Sequence, residues 1–165
     1  MKYLSIIIIS IALLLSCNSP AQKKQKMESQ PFEIVKTNSE WQSILTPAAF
    51  NVLRNNGTER AFSSKLNDNY SNGVYECAAC GTPVFESKHK FDSGTGWPSF
   101  DRAIKGNVAY SNEKQLGYTI TEEHCATCGG HLGHVFDDGP KETTGKRHCI
   151  NGVALKFIPH DEQSK

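Results

Sequence analysis

CATCGGHLGHVF, residues 125–136, joins a C-x-x-C-G turn directly to a strand-like run, and its opening recurs as CAACG at residues 77–81. A C-x-x-C turn aims both sulfurs to one side, and two such turns supply the four thiolates that a closed tetrahedral zinc site prefers. Residues 81–124 lie between the pairs, more than the about 15–20 of a compact zinc ribbon. A metal shared by Cys77, Cys80, Cys125 and Cys128 would therefore tie two distant hairpins together. The competing reading is disulfide bonding, which an oxidising compartment allows, although bridges within such turns are strained and more often redox-active than structural. Neither pair sits in a βαβ pattern, which disfavours a thioredoxin-like motif.

Outward from these knuckles the chain reads as short runs between turn residues. VYEC (74–77), PVFES (83–87), NVAYS (107–111), QLGYTIT (115–121), HLGHVF (131–136) and HCINGVALKFI (148–158) have strand composition. Asn72-Gly73, Asn112-Glu113 and Asp138-Gly139-Pro140 are the expected turns. Helical signals are confined to the start. Ser39 with Gln42 fits a capping box. Thr46-Pro47 supplies a cap and a first-turn proline, Phe50 and Leu53 an apolar face, and Gly57 a stop. The expected class is α+β, mainly β, with two packed antiparallel sheets and short N-terminal helices.

The chain has 165 residues, enough for one ordinary domain. Hydrophobic residues make up 38% and charged residues 21%, a globular balance. A net charge of +1 without a long basic block gives no electrostatic footprint for nucleic acid.

The N-terminus has its own signature. Lys2 precedes a run from Leu4 to Leu15 that is apolar apart from two serines, too short to span a bilayer but of signal-peptide length. It ends in Leu14-Leu15-Ser16-Cys17, which resembles the lipobox of bacterial lipoproteins, whose cysteine becomes the lipidated first residue. A plain secretory signal and an uncleaved anchor are the alternatives. The expected organisation is a signal peptide over 1–17, a flexible tether over 18–36, a folded domain over 37–160 and a tail over 161–165. The expected location is the bacterial cell envelope, lipid-anchored and facing the periplasm or exterior. Setting Cys17 aside leaves five of the six cysteines: two pairs and Cys149.

Cys149 lies in GKRHCING, residues 145–152. A nucleophilic cysteine acts as thiolate, and a nearby cation favours that form. On an extended strand Arg147, Cys149 and Asn151 share one face, while His148 and Ile150 point away. Taken alone, a buried inert thiol is the commoner case. Two other segments bear on it. His131 and His134 in HLGHVF fall on opposite strand faces unless the strand bulges, which Gly133 permits. In GTGWPSF (94–100), Gly94, Gly96 and Pro98 force an irregular loop around Trp97, as a loop anchor or as a binding surface.

In this order, C-x-x-C-G, S-G-T-G-W-P-S-F, C-x-x-C-G-G-H-L-G-H-V-F and R-x-C-I-N-G resemble the methionine-R-sulfoxide reductases of the B type, over roughly Thr37 to Pro159. The resemblance implies a β domain of two antiparallel sheets with one structural zinc on Cys77, Cys80, Cys125 and Cys128, and no organic cofactor. It implies Cys149 as the nucleophile that attacks the sulfoxide sulfur and is left as a sulfenic acid. Arg147 then stabilises the thiolate and Asn151 orients groups around it. His131 and His134 handle the sulfoxide oxygen and its proton, and Asp138 supports them. Trp97 receives the substrate methyl, with Phe100 nearby. The implied substrate is oxidised protein or peptide methionine. A non-catalytic zinc module and an envelope disulfide oxidoreductase are the competing classes.

The chain departs from the family pattern twice. Thr95 stands where many relatives carry a resolving cysteine, so the expected reductant is an external thioredoxin-like protein or small thiol. His148 stands where a tyrosine or phenylalanine is usual. A monomer is the default expectation, touching the membrane through the lipid alone.

Overall fold

The computed structural model describes residues 32–160 except Leu116. The signal peptide, Cys17, most of the tether and the tail lie outside the described residues. Two helices come first, α1 (Asn38–Ile44) and α2 (Pro47–Asn55). Nine strands follow: β1 (Gly73–Cys77), β2 (Pro83–Glu86), β3 (Lys90–Phe91), β4 (Ser99–Phe100), β5 (Val108–Gln115), β6 (Tyr118–Cys125), β7 (His131–Phe136), β8 (Arg147–Ile150) and β9 (Leu155–Pro159). They form two antiparallel sheets, ordered β2-β1-β9 and β3-β4-β8-β7-β6-β5.

The α1 cap is Thr37, not Ser39: the Glu40 carboxylate accepts from both the Thr37 amide and hydroxyl at 2.7 Å. A charged acceptor in the first turn outcompetes the neutral Gln42 alternative. For α2, Thr46 caps and Pro47 leads as expected, but Asn56, not Gly57, takes the left-handed stop (φ 54°). The run 148–158 is not one strand. It breaks at Asn151 into β8, a 3₁₀ turn over Gly152–Ala154, and β9. Because β8 belongs to the large sheet and β9 to the small one, this break hands the chain from one sheet to the other. Asn112 and Glu113 do not turn; they pair with Thr121 and Ile120 within a long hairpin that reverses between Gln115 and Tyr118, with Gly117 at φ 86°.

The sheets close on aromatic packing. Phe85 of the small sheet stacks on Phe100 of the large one (centroids 4.4 Å), and Tyr75 meets Phe100 edge-on at 4.9 Å. Leu132 and Ile150 are buried in the same core, joined by Val52 and Leu53 of α2. All three of these rings are fully buried, and each such side chain contributes about 1.5–3 kcal/mol by burial alone.

The two C-x-x-C turns are built alike. Gly81 and Gly129 sit at φ 76° and 67°, and each donates its amide to the carbonyl of its knuckle's first cysteine at 2.8 Å. One knuckle lies in the β1–β2 turn of the small sheet, the other in the β6–β7 turn of the large one, so the four cysteines staple the two sheets together. Ahead of α1, the Ile34 amide donates to the Thr127 carbonyl inside the second knuckle (3.0 Å).

Candidate active site

The four knuckle cysteines are free thiols whose sulfurs all lie within 4.8 Å of one another. Cys77 to Cys128 is 3.8 Å and Cys80 to Cys125 is 3.5 Å. A tetrahedron of Zn–S bonds of about 2.3 Å has S···S edges of about 3.8 Å. The site therefore fits a structural metal ion, and the sulfurs converge in one cluster where two redox dithiols would stay separate.

The second constellation lies on one face of the large sheet. Cys149 on β8 is directly opposite His134 on β7 and, on its other side, Ser99 on β4. His134 is in turn opposite Glu122 on β6, and Glu122 opposite Ser111 on β5. Directly paired residues in antiparallel strands share a face, so Ser99, Cys149, His134, Glu122 and Ser111 form one row across five strands. A bulge brings in His131. Glu123 pairs with Gly133 but His124 pairs with His131, which leaves Leu132 as the extra residue. The bulge shifts the alternation by one, and the two imidazoles meet at 5.3 Å between centroids. Gly133 is required here: a Cβ would sit 2.0 Å from the Cys149 carbonyl oxygen.

Around this row lies a cleft of about 160 Å³, lined by Thr58, Trp97, His134, Phe136, Cys149 and Asn151. His131 stands behind it, its Nδ1 2.8 Å from Glu122 Oε1, and Ser111 donates to the other Glu122 oxygen at 2.6 Å. Burial works against the Glu122 charge, but hydrogen bonds from Ser111 and His131 outweigh it, and the carboxyl is held below its usual range. An ionised Glu122 takes the Nδ1–H of His131. His131 Nε2 and His134 Nε2 are buried and have no hydrogen-bond partner among the described residues; Glu113 Oε2 approaches His134 Nε2 to 3.7 Å. Burial, and then His131, push the His134 pKa down, which favours its neutral form.

Arg147 does not line the cleft. It grips Asp138 through two hydrogen bonds of 2.8 and 2.9 Å and stacks over Phe136 at 4.4 Å. Asp138 is thus the partner of Arg147 and not of the histidines. Burial raises the Cys149 pKa by more than the Arg147 charge and a Thr95 hydrogen bond lower it, so the thiol form prevails. Asn151 has left the strand; it donates to the Leu132 carbonyl (3.0 Å) and accepts from the Glu59 amide (2.9 Å). Phe100 is elsewhere: paired with His148, it projects from the opposite face into the inter-sheet core and cannot touch a ligand in the cleft. His148 also faces away, with its Nδ1 on the fully buried Glu123.

Three acids that no sequence motif singled out now matter: Glu122 behind His131, Glu123 behind His148, and Glu59 behind Asn151. The Glu59 contacts span more than 90 positions of chain and leave no local pattern. Glu122 and Glu123 sit in strand alternation beside the second knuckle, where an acid on the inward face was the available signal.

Residues 45–159 match the SelR domain. This chain belongs to the SelR family. It is 48% identical over 132 residues, 79% of the chain and 95% of the relative, to a peptide methionine sulfoxide reductase MsrB of Leifsonia xyli. It is 49% identical over 127 residues, 76% of the chain and 96% of the relative, to an MsrB of Thiobacillus denitrificans. An MsrB of Methanosarcina mazei is 47% identical over 134 residues, covering 81% of the chain and 95% of the relative. The SelR match spans the cleft, both knuckles and α2.

Proposed function

We propose that this chain is a peptide-methionine (R)-S-oxide reductase that works through Cys149 and is recycled by an external thiol. The observation that carries the reading is Cys149 in the lining of the cleft, directly opposite His134 on the neighbouring strand, in a chain of the SelR family. Trp97 and Phe136 give the cleft an apolar wall for the methionine methyl, and His134 and Asn151 a polar one for the S=O. Apolar and polar groups lining one cleft select one epimer by placement.

In the first stage the Cys149 sulfur attacks the sulfoxide sulfur. An S–S bond forms as the protonated sulfoxide oxygen leaves as water. A water molecule then attacks the Cys149 sulfur, the S–S bond breaks to release methionine, and one proton is given back. Cys149 is left carrying one oxygen as S–OH. The substrate sulfur is reduced by two electrons and the Cys149 sulfur oxidised by two, leaving methionine and a cysteine sulfenic acid. The oxygen departs only when it is protonated, so an imidazole beside it lowers the barrier; His134 and His131 supply the pair of unpartnered Nε2 atoms for that role. Arg147, fixed by Asp138, is the cation available to the thiolate. In the second stage two external thiols reduce the sulfenic acid, releasing water and forming their own disulfide. Thr95 leaves that stage to an outside reductant of thioredoxin-like or small-thiol type.

Cys77, Cys80, Cys125 and Cys128 would hold zinc as a cross-link between the sheets, outside the chemistry. The lipobox-like ending at Cys17 and the polar stretch after it support a lipid-anchored enzyme on the envelope, acting there as a monomer on oxidised protein methionine.

The deciding assay is turnover of the R and S sulfoxides of a blocked methionine with dithiothreitol, for the wild type and Cys149→Ser. R-only turnover that vanishes in Cys149→Ser is expected; turnover that survives the substitution sinks the reading. A non-catalytic zinc module predicts no turnover of either epimer.

A further inference from the structure

Residues 57–62 form a loop after α2 that carries no catalytic chemistry of its own, yet its hydrogen bonds go to the cleft. The Glu59 carboxylate accepts from the Gly152 amide (2.6 Å) and the Val153 amide (3.0 Å). The Glu59 amide donates to Asn151 Oδ1 at 2.9 Å, and its carbonyl accepts from Trp97 Nε1–H at 3.2 Å. Three residues on, the Phe62 amide donates to the Gly96 carbonyl (2.7 Å) with Phe62 itself at φ 62°. Its ring lies where a Cβ on Gly96 would be 2.7 Å away, so the glycine lets the two loops close on each other.

From these contacts we infer that Glu59 is a positioning residue that holds the Trp97 and Asn151 walls of the cleft at a fixed separation. The inference rests on the reductase reading for its substrate and on geometry for its mechanism. Asn151 and Trp97 come from segments more than fifty positions apart, and Glu59 is bonded to both through its own backbone. What keeps that backbone in place is the carboxylate, because a carboxylate accepting from two backbone amides forms the stronger class of hydrogen bond. Those amides follow Asn151, the residue after β8, so the same contact fixes where Asn151 leaves the strand. Thr58, the next residue back, lines the cleft directly. Glu59 touches no reacting atom; it acts on substrate binding through Trp97 and Asn151 and leaves the Cys149–Arg147 neighbourhood alone.

The test compares full-chain wild type, Glu59→Ala and Glu59→Gln. For the R sulfoxide, Glu59→Ala is expected to raise KM about tenfold while kcat falls by less than about threefold, and Glu59→Gln, which keeps the length and one acceptor oxygen, to lie between. Alkylation of Cys149 by iodoacetamide is expected to stay within about twofold of wild type. A second readout needs no turnover: the chain has two tryptophans, and the Trp97 indole N–H resonance, assigned by its loss in Trp97→Phe, should shift and exchange faster with water in Glu59→Ala. A lower melting temperature with KM and the Trp97 resonance unchanged would mean a structural role only, and overturns the proposal. If the wild type turns over neither sulfoxide, the reductase reading falls while the Trp97 resonance still decides whether Glu59 holds the wall.

Discussion

His134 and Cys149 are direct cross-strand partners on β7 and β8, so their Cβ atoms stand about 4.5–5.5 Å apart. No loop has to close to bring the imidazole and the thiol together. His134→Gln keeps a polar side chain there but removes the imidazole proposed to protonate the sulfoxide oxygen. Turnover of the R sulfoxide should fall by about a hundredfold, with iodoacetamide still alkylating Cys149 at close to the wild-type rate. Equal loss in both measurements would mean that His134 shapes the thiol and not the oxygen.

Burial favours the thiol form of Cys149 over the thiolate. Burial raises its pKa above the ordinary thiol value despite the nearby Arg147. The thiolate fraction of the free enzyme therefore grows as pH rises, and the alkylation rate should still be climbing past about pH 9. Arg147→Ala removes the positive charge that does most to oppose burial, and should push the profile further to the alkaline side. A plateau reached below pH 7 in the wild type contradicts this.

Much of this arrangement was legible because its signals are local. The knuckles announce themselves by spacing and by a following glycine, and β7 by its alternation. The meeting of His131 and His134 hinged on one bulge, which Gly133 signalled without requiring. What escaped was set by competition or by distance. Thr37 and Ser39 each offer a capping box, and only the relative strength of Glu40 and Gln42 as acceptors decides between them. Phe100 and Trp97 are three residues apart in one motif, yet strand pairing sends Phe100 to the core. Glu59 and Glu123 gain meaning only from partners brought by the fold.

Metal removal should unfold the domain. The cysteine cluster joins two sheets, and a structural zinc contributes an apparent ~10–16 kcal/mol at neutral pH, comparable to the whole stability of about 5–15 kcal/mol of a domain. Protein purified without added metal should contain one equivalent of zinc. Chelation, or Cys125→Ser, should abolish the near-UV circular dichroism along with metal content. A chelated protein that keeps its near-UV spectrum and melting temperature would show that the packed sheets stand without the staple.

Glu123 and His148 make a buried pair behind β8, with Glu123 fully buried and its Oε2 unpartnered among the described residues. Removing one member of such a pair costs about 3–5 kcal/mol, whereas replacing both with apolar groups is neutral or stabilising. His148→Phe should therefore destabilise by about 3 kcal/mol, and adding Glu123→Val should restore most of it. The pH sense follows from burial, which raises the Glu123 pKa. That contribution to stability is present below the unfolded value and is lost as pH rises through the folded one. The His148→Phe deficit should therefore be smaller at pH 4.5 than at pH 7.5. Additive single-variant losses in urea melts would show that the pair is not coupled.

Thr95 is one of the groups near Cys149 that lower its pKa against burial, and its hydroxyl meets Ser93 at 2.8 Å. The other described thiols are gathered in the knuckle cluster. On the proposed mechanism, a sulfenic acid formed on Cys149 after one turnover without reductant has no other described thiol beside it, and dimedone should label Cys149 close to stoichiometrically. In Thr95→Cys a thiol replaces a hydroxyl already within reach of that sulfur. The sulfenic acid should then condense with it, forming a Cys149 disulfide, releasing water and suppressing the dimedone adduct. Peptide mapping of both proteins separates the cases. A Cys149 disulfide to a native cysteine of the same chain in the wild type would show that an internal thiol resolves the intermediate and that the outside reductant acts one step later.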